Sequence, residues 1–139
     1  RNDNSKLKAF CEERDKILGL SENIIFKKLD SMNLIFSDEK YDLIWIDGAH
    51  GYPFVTIDIV NSIRMLNNNG LILCDDVWKD KPLNQDSMYN SIATFETLEK
   101  LKKSKIIEYD LIFKRLDKKN NCNSNLRKYI AVVKKIISE

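Results

Sequence analysis

The sequence predicts an α/β fold: an open, mostly parallel sheet that ends in an antiparallel hairpin. Three observations lead there. Short β-rich runs alternate with segments of helical period, the pattern of βαβ units. Two of the runs, "LIWI" at 43–46 and "LILC" at 71–74, are apolar throughout and suit central strands covered on both faces. The last two runs, "KIIEYDLIFKRL" and "RKYIAVVKKII", have only the polar stretch "DKKNNCNSN" between them, so they pair antiparallel.

Each element has a local reason. In the opening segment Leu7, Phe10, Arg14, Ile17 and Leu18 fall near helical spacing, with Ser5 as a cap and Gly19 as a stop. "NIIFKKL", Asn23 to Leu29, is a first strand, followed by the turn "DSMN". Tyr41 to Asp47 is a second strand. Pro53 suits the first turn of a helix that carries Val55, Ile59, Ile63 and Leu66 as one apolar stripe. "NNNG", Asn67 to Gly70, ends that helix, with Gly70 or an asparagine as a left-handed C-cap. Leu71 to Trp78 is a third strand. After a loop with Pro82, Ser87 to Ser104 is a helix with Ile92, Phe95, Leu98 and Leu101 on one side.

The chain has 139 residues, enough for one domain with its own core. Its 23 basic and 21 acidic residues leave a net charge of +2, too balanced to argue for nucleic acid or a membrane surface. Cys11, Cys74 and Cys122 are widely spaced with no CxxC pair, which suggests neither a zinc site nor a disulfide framework and favours a reducing, cytoplasmic setting. No apolar run approaches the ~20 residues of a membrane span. The N-terminus has neither the apolar core of a signal peptide nor an initiator Met, so the chain reads as a fragment or processed piece.

Open α/β sheets bind ligands at the carboxyl ends of their strands. All three parallel-type strands end in acid: Asp30 after the first, Asp47 at the second, Asp75 and Asp76 at the third. Any one of them alone reads better as a turn or cap residue; their repetition at one rim argues for a small-molecule site. Clustered carboxylates there need a cation, a proton or a basic side chain to compensate them. Oxygen-only ligands favour a hard cation such as Mg²⁺. His50, the only histidine, sits one tight turn beyond Asp47, with an unperturbed pKa near ~6.5 that suits a general base.

The stretch "YDLIWIDGAHGYPFVTIDIVNSIRMLNNNGLILCDDVW" resembles the central segment of class I S-adenosylmethionine-dependent methyltransferases. The "IDG-x-H-x-Y" element and the later Asp75-Asp76 pair carry the resemblance, which runs from about Asn23 to Ile137 and is nearest to the macrocin-type small-molecule and sugar O-methyltransferases. It implies a Rossmann-like sheet whose last strand inserts antiparallel. It implies Asp47, Asp75 and Asp76 as metal ligands and His50 as the base. It places Asp30, Ser31 and Met32 against the cofactor's adenine, with Asp47 also on the cofactor side. The reaction it implies is in-line attack of a substrate hydroxyl on the sulfonium methyl, with the metal lowering the hydroxyl pKa. Tyr52 and Trp78, both just past strand ends, would line the acceptor pocket.

Two departures bear on this reading. Asn69-Gly70 stands where Gly-Gly is expected before the fifth strand. The cofactor's glycine-rich loop and the acid that holds its ribose are absent, since none of the four glycines forms a G-x-G cluster after a strand. Residues 1–139 therefore read as a single, partial methyltransferase domain without its first two strands, which leaves a sheet edge open for a partner chain or a second copy. The leading function is methyl transfer to a hydroxyl of a small molecule such as a sugar. The alternative is a non-catalytic or truncated methyltransferase-like module that binds a protein partner. A nucleic-acid methyltransferase finds no aromatic-basic interleaving to support it.

Overall fold

A computed structural model describes residues 4–19, 22–80, 91–116 and 127–137. Pro82, the first residues of the helix expected from Ser87, and the "DKKNNCNSN" stretch with Cys122 lie outside the described residues. The chain divides into two compact units, Arg1–Asp30 and Ser31–Glu139.

The first unit contains helix α1, Asn4–Gly19. It includes Ser5, the expected cap, as a helical residue and ends at Gly19, as the stop signal predicts. Its guanidinium of Arg14 pairs with Asp15 at 2.6 Å and lies over the Phe26 ring, 4.3 Å from the centroid. The expected strand at Asn23–Leu29 does not form: residues 24–30 have no regular structure, and Ile24, Ile25, Phe26 and Leu29 are exposed. A β-rich run becomes a strand only when a neighbour completes its ladder, and β propensity cannot supply one.

In the second unit a 3₁₀ turn, Ser31–Phe36, leads to β1 (Tyr41–Ile46), α2 (Phe54–Met65), β2 (Leu66–Trp78), α3 (Ala93–Lys103), β3 (Ile107–Leu116) and β4 (Arg127–Lys135). The sheet order is β1-β2-β4-β3. β1 and β2 are parallel; β4 runs antiparallel to both β2 and β3, so the last strand inserts inside the hairpin. The core is one cluster in which Ile46, Ile72, Cys74 and Val133 of the sheet meet Val55 and Ile59 of α2 and Leu98 of α3. Of the predicted stripes, Val55, Ile59 and Leu98 lie in it and Ile63, Phe95 and Leu101 are partly buried at its margin, whereas Leu66 belongs to β2 and Ile92 precedes α3 as its N-cap. A hydroxyl pair, Thr56 and Thr97 at 2.9 Å, ties α2 to α3.

Two expectations change here. β1 is an edge strand rather than one covered on both faces: Ile46 points into the core, but Leu43 is 60% and Trp45 52% exposed. And α2 ends without a left-handed cap. Leu66 turns directly to extended backbone (φ −78°, ψ 133°), and Asn67 to Gly70 run on as part of β2. They are absorbed as a register jump, with Tyr41 opposite Leu66 but Leu43 opposite Leu71. Gly70 has no positive φ; it is needed for space, since a Cβ there would lie 2.7 Å from Leu66 Cδ1 and 2.9 Å from the Asp42 carbonyl oxygen.

Candidate active site

The first half of the site follows β1. Asp47 is the residue after the strand, and its carboxylate is more than half exposed. Three residues on, His50 is buried, with Nε2 3.8 Å from Asp47 Oδ1. The turn then feeds α2, where the Val55 N–H donates to the Gly51 carbonyl at 3.2 Å. Tyr52 donates its hydroxyl to Glu96 at 2.9 Å.

Beside this turn lies a cavity of about 220 Å³ between the 3₁₀ turn, β1 and α2. Ser31, Trp45, Asp47, Gly48, Asp58 and Ser62 are among its lining residues. Two of the expected cofactor residues, Ser31 and Asp47, thus share one cavity. Met32 is half exposed in the same turn, and Asp30 is the last residue of the first unit. Asp58, which the sequence did not single out, contributes a buried carboxylate oxygen, Oδ1, with no hydrogen-bond partner. A buried acceptor left this way calls for a donor, and a ligand carrying amine or hydroxyl groups suits it.

At the end of β2, and not among the residues lining that cavity, lies a charge cluster built on two β-bulges. Between Cys74 and Val77, β2 has one residue more than β4; between Phe113 and Arg115, β3 has one more than β4. Both insertions fall beside Tyr129, and they contain Asp75, Asp76 and Lys114. Asp76 takes φ 49°, a left-handed conformation that aspartate tolerates better than most residues. Bulges re-aim side chains, and here they let Lys114 reach past β4. Its Nζ donates to Asp75 Oδ1 at 2.6 Å, to Asp75 Oδ2 at 2.5 Å and to Asp76 Oδ1 at 3.0 Å. Lys128 donates to Asp76 Oδ2 at 2.6 Å, and Arg115 lies 3.5 Å from Asp76 Oδ1. Burial alone would raise the Asp76 carboxyl, but the hydrogen bonds and charges of Lys128 and Lys114 outweigh it and hold it down at about 2. Burial likewise disfavours the charged Lys114, and Asp75 and Asp76 outweigh that and raise its pKa.

Of the three ways to compensate clustered acids, the chain therefore uses the basic side chain. All four oxygens of Asp75 and Asp76 accept from an ammonium group. Among the described residues, no three His, Cys, Asp or Glu side chains gather closely enough to hold a metal ion. The residues present do not fit Mg²⁺. Trp78 is also not an open pocket wall: it is buried, with Lys128 Nζ 5.2 Å from its ring centroid, a cation–π contact. Lys114 and Lys128 were missed because they look like ordinary surface lysines. The available signal was slight: Lys114 follows the apolar run Leu111–Phe113 and Lys128 precedes Tyr129–Val133.

A sheet with one parallel pair, extended by a hairpin whose last strand inserts antiparallel, and with acids and a histidine at the strand ends, defines a Rossmann-like α/β domain of the class I methyltransferase type. Residues 3–77, more than half of the chain, match the family described as a methyltransferase domain, and the chain belongs to that family. Among solved structures it is similar to a protein from Klebsiella pneumoniae provisionally assigned as an O-methyltransferase: TM-score 0.63, 14% identity, 91% of this chain and 56% of that one. It is also similar to TehB from Haemophilus influenzae: TM-score 0.57, 20% identity, 98% of this chain and 48% of that one. These likenesses are of fold, and the chain spans about half the length of each. No curated protein matches it. No helix among the described residues is long and apolar enough to cross a membrane.

Proposed function

We propose that this chain forms part of an S-adenosylmethionine-dependent O-methyltransferase acting on a hydroxyl of a small molecule, with a sugar as the class the resemblance favours. The carrying observation is the buried His50 beside Asp47, next to the cavity that Asp47 shares with Ser31. His50 accepts the proton of the acceptor hydroxyl, and Asp47 stabilises the imidazolium that results. Ser31, Met32 and Asp47, with Asp30 just before them in sequence, are the residues we assign to cofactor contact. When bound, the cofactor supplies an electrophilic methyl group. The Mg²⁺ assistance implied by the resemblance enters no step, because the Asp75 and Asp76 oxygens already accept from lysines. The wide spacing of the three cysteines leads us to place the protein in a reducing, cytoplasmic setting.

Calorimetric titration of S-adenosylmethionine into the full-length protein, with the upstream residues that supply the glycine-rich loop, tests the reading, and no binding would overturn it. With binding established, His50→Ala should lower methyl transfer to a hydroxylated acceptor by about 10²–10⁴-fold near neutral pH. Unchanged turnover would reduce His50 to a turn residue.

A second reading rests on β1. Among the described residues it is the edge strand of the sheet, and it exposes Leu43 and Trp45. Unpaired strand edges recruit further strands, which supports a partner chain or a second copy at this edge. Light scattering that returns a strictly monomeric mass at all concentrations would remove the second-copy form of this reading.

A further inference from the structure

We infer that Lys114 and Lys128 stand in the place of a divalent cation, so that the Asp75–Asp76 rim is a metal-free, self-neutralised site. The inference rests on the methyltransferase reading only for calling this rim part of an active site; the ionic arrangement is independent of it.

Three observations carry it. First, occupancy: each of the four carboxylate oxygens is within 2.5–3.0 Å of a lysine Nζ. A metal would have to displace these donors to coordinate the same oxygens. Second, charge: two carboxylates meet two ammonium groups, with Arg115 at 3.5 Å besides. A further dication would bring two uncompensated positive charges into a partly buried site, where like charges repel more strongly than in water. Third, construction: Lys128 is buried against the Trp78 ring, and Lys114 is the inserted residue of its bulge. These are not surface lysines that have drifted onto nearby acids. The backbone departs from regular alternation in two strands, and the departures bring these residues together.

The consequence for function is a division of labour. The cluster fixes the carboxyl end of β2 without a dissociable ion, so the geometry beside the acceptor does not depend on metal supply. Lys114 and Lys128 act as positioning residues.

Mn²⁺ binding followed by water-proton relaxation tests this on the full chain, whether or not methyl transfer is ever observed. The wild type and Asp75→Asn should give the same weak, non-saturating Mn²⁺ response. Lys114→Met should bind Mn²⁺ at least about tenfold more tightly than the wild type, and adding Asp75→Asn should abolish that gain. Saturable Mn²⁺ binding by the wild type that Asp75→Asn removes would overturn the inference. So would a folded Lys114→Met variant, checked by circular dichroism, with wild-type affinity. If Lys114→Met does not fold, the comparison of wild type with Asp75→Asn still decides. Failure of S-adenosylmethionine to bind would sink the methyltransferase reading and leave this result standing.

Discussion

Replacing Lys114 with methionine keeps the side chain out to Cε and removes the ammonium group with its charge and three donors. Asp75 is 6% exposed, and both its oxygens bond to Lys114 Nζ, at 2.6 and 2.5 Å. The variant leaves that carboxylate buried and uncompensated, a change that typically costs about 3–5 kcal/mol. Lys114 itself is 26% exposed, so water reaches part of the vacated position. Asp76 also keeps Lys128 and Arg115. Both facts place the expected loss near the lower end, about 3 kcal/mol. In a domain of this size that lowers the melting temperature by roughly 9–15 °C, at about 3–5 °C per kcal/mol. Urea unfolding should show a lower midpoint with an unchanged slope. Adding Asp75→Asn removes the stranded charge and should recover about half of the loss or more. A loss below about 1 kcal/mol, the level of a surface pair, would refute the reasoning. So would the absence of any recovery in the double variant.

Acid should act on the same cluster. The Asp76 pKa falls from 3.8 to about 2 on folding, so its contribution is fully present above the unfolded value and disappears as pH drops toward the folded one. The expected size is about 2 kcal/mol, and Asp76→Asn should flatten the stability profile between these two pH values in acid-unfolding curves. Burial pushes the Cys74 thiol up to about 12, whereas Cys11 is only partly buried. Alkylation mapped by mass spectrometry at neutral pH should therefore label Cys11 and spare Cys74 until the chain is unfolded. Gly70→Ala forces a Cβ against the Asp42 backbone and should cost about 1–3 kcal/mol in urea unfolding. Gly19→Ala meets nothing within 4 Å and should stay within about 0.5 kcal/mol of wild type.

Much of the second unit was legible because its elements are periodic. The β1 run, the α2 stripe of Val55 and Ile59, the Leu98 face of α3 and the closing hairpin all follow from local patterns that burial then enforces. Asn23–Leu29 failed for the opposite reason: a strand is half of a pair, and no local pattern reports on the other half. Asn67–Gly70 looked like a stop because asparagine and glycine usually are one; here the extra residues bulge into β2. In the site, the placement of His50 beside Asp47 needed only a three-residue turn. The meeting of Asp75 with Lys114 needed a sheet order and two insertions, at a separation of 39 residues. Composition can say that acids need a counter-charge, but only the register says which one arrives.

The paired bulges have one more implication. Side chains in a strand alternate between faces, so each inserted residue reverses that parity for everything beyond it. β4 carries no insertion of its own, yet its neighbours on both sides change phase beside Tyr129. Deleting Lys114 would carry Arg115 to the other side of the sheet while leaving every β2–β4 pairing in place. The rim and the core are thus phased separately across a single boundary. Sequence change beyond that boundary can alter which charges meet at the Asp75–Asp76 rim, while Cys74, Ala131 and the ladder below them keep their register.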